Sequence, residues 1–316
     1  MTSVGVVGLN YWGPNLARNF DALADLTWLC DLDETHLQEM AARYPDARTT
    51  TELDDLLADD TLDAVVIATP VPTHYALAKR VLEAGKHVFV EKPPAMRAAE
   101  MDELVTLAAD RDLVLMPGHL LLYHPAVQKL KELIDAGELG DVLCVYGQRV
   151  NLGIVRANEN ALWSLGVHDL SVILHLLDED AELATAQGSW SIHEGVQDVV
   201  FCFLRFPSGK IAHMHLSWLD PHKMRKMTVV GREKMVVFDD MEPERKVTVY
   251  EKSAGPDGAL NSGDIFVPKI STAEPLRLEC AYFLELIDGK HDRAKVARDG
   301  ARVVRALEML TNSLDG

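Results

Sequence analysis

Short, continuous apolar runs alternate with amphipathic helical periodicity along residues 1–117. An apolar run without polar alternation is typical of a strand buried on both faces, as in a parallel sheet flanked by helices. The pattern therefore predicts alternating βα units. The predicted strands are Val4–Gly8, Thr27–Asp31, Ala64–Thr69, His87–Glu91 and Val114–Gly118, and the predicted helices are Pro14–Leu23, Glu34–Tyr44, Thr73–Ala84 and Glu100–Asp110.

The pattern changes after Gly118, where strand-like segments follow one another with few helices between them, and the polar segment Ser253–Ser271 is predicted to be a loop. The predicted strands are Val142–Arg149, Ala184–Ile192, Asp198–Phe206, Lys210–Trp218, Lys226–Gly231, Met235–Asp239 and Lys246–Lys252, and the predicted helices are Pro125–Ala136, Leu162–Leu177, Pro275–Ile287 and Arg298–Leu314. We therefore predict an α/β fold, with a Rossmann domain over residues 1–118. The predicted second domain, residues 119–316, is α+β with a large, mostly antiparallel open sheet.

Composition narrows the classes of partner. A length of 316 residues suits two domains, and a net charge of −18 argues against nucleic acid, whose phosphates require a basic surface. No apolar run reaches the ~18 residues of a membrane span, so no membrane partner is predicted. The four cysteines lie far apart without a CxxC motif, which predicts thiols in a reducing compartment, the cytoplasm. No metal site is predicted, because His213 and His215 share a strand face but have no evident third ligand.

A glycine-containing turn joins the first predicted strand to the first predicted helix in the segment VGVVGLNYWG. Of the three glycines in the dinucleotide-binding fingerprint, Gly8 and Gly13 supply the first and third, and Asn10 replaces the second. Asn tolerates left-handed backbone geometry better than most residues. We predict that this turn, including Tyr11 and Trp12, binds a pyrophosphate at the helix N-terminus. The alternative is an ordinary glycine turn.

Asp31 ends the second predicted strand, about twenty residues beyond Gly8, where a ribose-binding carboxylate is expected. The run Asp31–Glu34 contains no Arg or Lys, so the 2′-phosphate of NADP would be repelled. The predicted cofactor is therefore NAD, with NADP disfavoured. A helix-capping role is the alternative for this carboxylate.

Two segments carry a family resemblance: ATPVPTH at 68–74 and AGKHVFVEKP at 84–93. The Glu-Lys-Pro at the end of the second closely resembles the signature of the glucose–fructose oxidoreductase/inositol dehydrogenase (Gfo/Idh/MocA) family. The resemblance implies that Lys92 lies beside the nicotinamide and the reacting hydroxyl. A lysine at the carboxyl end of a strand can reach both cofactor and substrate. Pro70 and Glu91 are also implied to lie near the nicotinamide, and Thr69 and His74 are predicted to bind the cofactor.

The segment LWSLGVHD at 162–169 resembles the family's second signature, which opens a helix and carries a catalytic histidine. His168 fills that position. The family often has an Asp four residues earlier, where this chain has Ser164, so a simple Asp–His dyad is not implied. Asp169, the next residue, would point about 100° away on an α-helix. An interior or capping histidine is the alternative role for His168.

The rest of the chain resembles one branch of the family, the UDP-N-acetylglucosaminuronate 3-dehydrogenases and related nucleotide-sugar 3-dehydrogenases. The segments that carry this resemblance lie at 118–140, 149–163, 217–231 and 237–243. The predicted substrate-binding residues are Tyr123, Arg149, Asn151, Asn160, Trp163, His168, Lys223 and Arg225. Independently, a sugar diphosphate requires cationic and amide donors such as those concentrated in residues 149–160, Asn158 included, and in 222–226. A solvated hairpin end is the alternative for 222–226, and a packing aromatic for Tyr123.

The resemblance implies an NAD-dependent dehydrogenase whose substrate C3 hydroxyl lies between Lys92 and His168, with His168 as proton acceptor and Lys92 orienting the oxygen. Three alternatives remain: a 3-ketoreductase of a nucleotide-linked deoxysugar, a dehydrogenase of a free sugar or inositol, and an NAD(H)-sensing regulator without turnover. The strand-rich second domain has few helices to cover its sheet, so we also predict a homodimer or homotetramer.

Overall fold

The computed structural model describes residues 1–157, 159–255 and 257–314, and the chain divides into two compact units. One unit contains Met1–Leu120 and Glu274–Val304, and the other contains Leu121–Ala273 together with the chain from Arg305 onward. The strands are β1 Ser3–Val7, β2 Asp25–Cys30, β3 Arg48–Thr50, β4 Ala64–Ile67, β5 His87–Glu91, β6 Leu115–Gly118, β7 Val142–Val150, β8 Leu183–Ser189, β9 Val199–Arg205, β10 Ile211–Ser217, β11 Met224–Gly231, β12 Met235–Asp239, β13 Val247–Ala254 and β14 Leu260–Phe266. The α-helices are α1 Gly13–Leu23, α2 Glu34–Arg43, α3 Leu53–Leu57, α4 His74–Glu83, α5 Ala98–Asp110, α6 Pro125–Asp135, α7 Val167–Leu177, α8 Pro275–Ile287 and α9 Arg293–Leu314.

The first unit contains a six-stranded parallel sheet in the order β3-β2-β1-β4-β5-β6. The strands β1 and β4 are buried along their whole length, which explains why their sequences read as continuous apolar runs. Helix α1 packs on the sheet through Leu16, Ala17 and Phe20. The strand order reverses between β1 and β4, so the crevice at their carboxyl ends is the expected ligand position.

The C-terminal segment Glu274–Val304 packs with the first unit, although the sequence analysis assigned it to a domain of residues 119–316. Phe283 of α8 makes edge-to-face contacts with Phe20 and Phe89, with ring centroids 6.0 and 5.7 Å apart. A Cβ on Gly300 of α9 would lie 2.4 Å from the Pro117 side chain, so this helix approaches β6 closely. The amphipathic pattern of a helix shows that one face is buried, but not against which sheet.

The second unit contains an eight-stranded sheet in the order β14-β13-β12-β11-β7-β10-β9-β8, in which only the β7–β10 pair is parallel. The predicted fold class, a Rossmann domain followed by a domain with a large and mostly antiparallel sheet, is confirmed. The prediction of a loop over Ser253–Ser271 was wrong, because β14 lies there and pairs with β13. This edge strand is almost entirely exposed and carries polar residues, so it lacks the apolar alternation that marks a strand.

One face of the second sheet carries aromatic side chains that remain exposed in the described chain. Along β9, Val200, Cys202 and Leu204 are buried, whereas the intervening Phe201 and Phe203 are 56% and 39% exposed. Phe201 stacks on His215 with ring centroids 4.4 Å apart. His215 is one of the two same-face histidines, with His213, that the sequence offered as metal ligands, and its ring is stacked on Phe201. A contiguous aromatic face of this kind favours burial against a second copy of the chain.

We expect the protein to sediment and scatter light as a homodimer or homotetramer at micromolar concentration, with Phe201→Glu/Phe203→Glu shifting it toward monomer because two charges would have to be buried in the interface. Multi-angle light scattering measures the mass directly. Leu32→Glu provides a matched control, since Leu32 is an exposed apolar residue of the other unit. A monomeric unmodified chain would contradict the prediction.

Candidate cofactor and catalytic site

The turn between β1 and α1 has a backbone that only glycine allows at two positions. Gly8 has φ of +90°, and a Cβ added to it would lie 2.7 Å from the backbone of Ala68. A Cβ on Gly13 would lie 1.9 Å from the Gly8 carbonyl oxygen. The turn is therefore tight enough to bring the backbone close to a ligand, which is the geometry that a dinucleotide pyrophosphate requires.

The N-terminus of α1 is electrostatically suited to an anion. Its first turn contains no acidic residue, and no side chain of the described residues caps it. Pro14 lacks an N–H, so anion-binding amides would come from the exposed Asn10 and Tyr11 and from the half-buried Trp12. The residues therefore fit the pyrophosphate of a dinucleotide, and these contacts stay a prediction.

Asp31 follows β2 and its carboxylate is oriented by backbone amides. It accepts hydrogen bonds from the Leu9 N–H at 2.5 Å and from the Asp33 N–H at 2.9 Å. Nδ1 of His36 lies 3.5 Å from Oδ1 of the same carboxylate. Asp31 thus ties the end of β2 to the glycine turn, in a position where a ribose diol could use its remaining acceptor capacity.

We expect Asp31→Ser to reduce the preference for NAD over NADP by roughly tenfold or more, because it removes both a charge-assisted acceptor and a source of repulsion for a 2′-phosphate. Equilibrium dissociation constants of the two dinucleotides measure the preference. Asp33→Ser is the matched control, since it removes one carboxylate from the same exposed turn. Tighter binding of NADP than NAD by the unmodified chain would contradict the prediction.

His74, predicted to bind the cofactor, bridges two loops at the carboxyl edge of the sheet. The ring is buried, with Nδ1 2.8 Å from the Pro93 carbonyl oxygen and Nε2 2.7 Å from the Thr69 carbonyl oxygen. Its two ring nitrogens therefore contact the backbone of both loops at the predicted nicotinamide site. Pro70, which follows Thr69, is exposed at the same edge.

Glu91 and Lys92 end β5 at this edge. The Glu91 carboxylate accepts a hydrogen bond from the Lys92 backbone N–H at 3.3 Å. Burial raises the pKa of Glu91 to about 7, although Lys92 opposes the shift. Sequence reasoning missed a second carboxyl here: Glu279 of α8 is fully buried, and neither of its oxygens has a partner in the described chain.

The Glu279 carboxyl should make folding depend on pH. Burial, reinforced by Glu91, holds its pKa well above the usual value, so the folded chain binds more protons than the unfolded chain. Stability is then full at acidic pH below the ordinary glutamate pKa and decreases as pH rises toward the raised pKa. Glu279→Gln removes this loss, and we expect it to be more stable than the unmodified chain by about 1 kcal/mol or more at pH 8, with little difference at pH 4.5.

Urea denaturation at several pH values measures this difference. Glu39→Gln, which replaces an exposed glutamate, should leave the pH dependence unchanged. If the free energy of unfolding varies with pH in the same way for Glu279→Gln and the unmodified chain, ionising Glu279 costs the folded chain no stability. That result would contradict the prediction.

In the second unit, His168 lies just after a π-helical turn, Leu162–Gly166, that opens α7. The sequence predicts a continuous α-helix through Ser164, whereas the wider π turn changes the angular spacing between Ser164 and His168. His168 is half-buried and Ser164 is buried. Asp169, the residue after His168, forms a buried, bidentate ion pair with Arg149. Nη2 and Nε of Arg149 donate to the two Asp169 carboxylate oxygens at 2.8 and 3.0 Å.

The residues predicted to bind substrate divide into two groups. Arg149, Asn160 and Trp163 already have partners within the unit: Asp169 for the first, Gln197 for the second and Thr311 for the third. These donors therefore stabilise the local fold of the loop and helix, and direct contact with substrate stays a prediction.

The other predicted substrate residues are accessible to different degrees. Lys223 precedes strand β11 and Arg225 lies within it, and both side chains are exposed. Nη1 of Arg225 lies 3.6 Å from Oδ2 of Asp240. Tyr123 and Asn151 are half-buried. Asn158 lies outside the described residues. Direct substrate contact by these side chains stays a prediction.

Among the residues that the structure describes, no three His, Cys, Asp or Glu side chains come together as a metal ion requires. Among the helices that the structure describes, none combines the length and apolarity needed to cross a membrane.

Comparison with known proteins identifies the family. Residues 2–119 match the oxidoreductase family with an NAD-binding Rossmann fold, and residues 127–237 match the GFO/IDH/MocA C-terminal domain. The chain belongs to the Gfo/Idh/MocA family, and the resemblance drawn from the Glu-Lys-Pro segment and from LWSLGVHD at 162–169 is confirmed.

Individual members of the family share a low sequence identity with this chain. UDP-N-acetylglucosamine 3-dehydrogenase of Acidithiobacillus ferrooxidans is 28% identical over 252 residues, which cover 79% of this chain and 77% of that protein. Its solved structure matches with a TM-score of 0.88 at 25% identity, covering 99% of this chain and 97% of the other. The structure of GenD2 from gentamicin A biosynthesis in complex with NAD matches with a TM-score of 0.82 at 28% identity, covering 99% and 94%.

Some curated relatives are only partly covered. The 2,7-anhydro-N-acetylneuraminate hydratase of Escherichia coli is 30% identical over 230 residues, which are 67% of this chain and 60% of that protein. An uncharacterized oxidoreductase of Streptococcus pneumoniae is matched over 61% of its length. The chain thus spans about three fifths of these two relatives.

Proposed function

We propose that the protein is an NAD-dependent oxidoreductase that acts on a CH–OH group of a sugar. The observation that carries the proposal is the arrangement at the carboxyl edge of the first sheet. There the glycine turn, the Asp31 carboxylate and the Glu91–Lys92 pair follow three strands that end at one edge. The Lys92 backbone N–H donates a hydrogen bond to the Glu91 carboxylate at 3.3 Å, which orients this carboxylate at the end of the strand.

The proposed substrate is a nucleotide-linked sugar of the UDP-N-acetylglucosaminuronate type, oxidised at C3. Two observations support it. The A. ferrooxidans enzyme, named for the 3-dehydrogenation of UDP-N-acetylglucosamine, matches this chain in sequence and over nearly the whole fold. Lys223 and Arg225 are exposed cations in a chain with net charge −18, and cations of this kind bind a diphosphate.

The chemistry of the chain's own side chains follows from this substrate. A bound NAD supplies the hydride acceptor, and removal of the hydroxyl proton is left to the protein. We assign proton acceptance to His168, since imidazole titrates near neutral pH. Lys92 orients the hydroxyl oxygen as a donor and stabilises the negative charge that develops on it. NAD rather than NADP follows from the carboxylate of Asp31.

The experiment incubates the purified protein with NAD and a panel of UDP- and dTDP-sugars, and follows reduced nicotinamide by absorbance and the product by mass. We expect loss of two hydrogens from a UDP-sugar with a free C3 hydroxyl, and deuterium at C3 should slow the reaction. Free glucose and myo-inositol test the simpler substrates, and 3-keto sugars with NADH test the opposite direction. Lys92→Ala is the inactive control. Binding of NADH without turnover of any panel member would contradict the proposal.

A further inference from the structure

A buried histidine next to the catalytic lysine has no assigned role. His119 follows the last residue of β6 and is only 4% exposed. Neither Nδ1 nor Nε2 has a hydrogen-bond partner among the described residues. Leaving a polar side chain buried and unpaired costs stability, so such a group in a folded protein requires an explanation.

The position of His119 is set by strand register. Strand β6 runs parallel to β5, and Gly118 is paired with Glu91. The next residue of each strand, His119 and Lys92, therefore lies at the same carboxyl edge. This edge is on the β4–β6 side of the reversal in strand order, and the glycine turn that suits the pyrophosphate lies at β1. A dinucleotide whose adenosine lies over β2 extends its other half toward β4–β6.

The charges that face His119 keep the imidazole neutral. Burial and the Lys92 ammonium lower the pKa of His119 to about 4, and the Asp299 carboxylate of α9 opposes them only in part. A neutral imidazole has one N–H and one lone pair. The neutral ring therefore has one nitrogen that can accept a hydrogen bond, and no described residue donates to it.

We propose that His119 binds the carboxamide of the nicotinamide by accepting a hydrogen bond from its amide nitrogen. The inference rests on the proposed use of a nicotinamide cofactor and adds a recognition residue to it. A primary carboxamide supplies the donor that the unpaired ring nitrogen lacks, and the contact would fix the orientation of the ring about its glycosidic bond. A sugar hydroxyl could supply the same donor, and the test separates the two ligands.

The test is a two-by-two binding cycle measured by calorimetry without any sugar. The ligands are NADH and the reduced 3-acetylpyridine analogue, in which a methyl group replaces the amide nitrogen. We expect the unmodified protein to bind NADH about tenfold more tightly than the analogue, and His119→Phe to bind both equally. His119→Met offers a second apolar side chain if the phenylalanine variant does not fold. His119→Gln, which retains an acceptor, should restore the preference.

The outcomes are distinct. A preference for NADH that survives in His119→Phe or His119→Met overturns the proposal, and a raised KM for the sugar in the same variants assigns the histidine to the substrate instead. His291→Phe, which alters a histidine paired with Glu285, should keep the preference. Failure of the unmodified protein to bind NADH contradicts the proposed function itself, before any variant is considered.

Discussion

Lys92→Ala and His168→Ala are each expected to lower kcat at least about 100-fold while NADH binding is retained, because removing a general acid or base typically costs 10²–10⁴ in rate. Lys92 follows β5 at the carboxyl edge of the first sheet, beside the groups that suit a dinucleotide. His168 lies at the start of α7, where the π turn before it departs from regular helix geometry. Such turns occur frequently at functional sites.

Steady-state rates as a function of pH, with calorimetric NADH binding, distinguish the two roles. If His168 is the proton acceptor, its loss should remove the acidic limb of the kcat profile, whereas the loss of Lys92 should lower the rate across the profile. Lys79→Ala and His291→Ala are the matched controls, since each removes the same residue type from an ion pair elsewhere. A near-normal rate in His168→Ala would remove that residue from the mechanism and leave Lys92 as its sole acid–base group.

Arg149→Met is expected to destabilise the protein by about 3–5 kcal/mol, because it leaves the Asp169 carboxylate buried without its partner. Both side chains are less than 10% exposed, and the bidentate geometry satisfies both carboxylate oxygens. The double replacement Arg149→Met/Asp169→Leu should recover most of the loss, since well-packed apolar groups can replace a buried ion pair at little cost.

Chemical denaturation of the single and double variants measures the coupling. Lys131→Met breaks an exposed ion pair with Asp135 on α6 and should cost no more than about 1 kcal/mol. If Arg149→Met leaves stability within about 1 kcal/mol of the unmodified chain and instead raises the KM for the sugar, Arg149 binds substrate, as its sequence position suggested.

Much of the first unit follows from its sequence. Strands β4 and β5 read as continuous apolar runs because both of their faces are covered, and the periodicity of α1 and α4 is that of helices packed on one side. The glycine turn could be predicted as well, since its steric demand is local: a Cβ on Gly13 collides with a carbonyl five residues earlier. Such features depend on neighbours in the chain.

Two edge strands, β3 and β14, could not be predicted in the same way. Strands β3 and β14 are short or polar and exposed, so they carry no apolar pattern, and they form because a neighbouring strand supplies hydrogen-bond partners. The packing of Glu274–Val304 on the first unit depends on Phe283 reaching Phe20 and Phe89, which lie far away in sequence.

The candidate site shows the same division. Gly8, Asp31, Lys92 and His168 could be proposed from short motifs, because each motif encodes a local backbone geometry or a strand end. The sequence alone determined the fold class, the family resemblance and these residues. Only the tertiary structure revealed that Arg149 is paired with Asp169, that His74 bridges two carbonyls, and that Glu279 and His119 are buried without partners among the residues it describes. The reason is physical: burial and pairing are set by residues distant in the chain, and a side chain's charge state and availability depend on them.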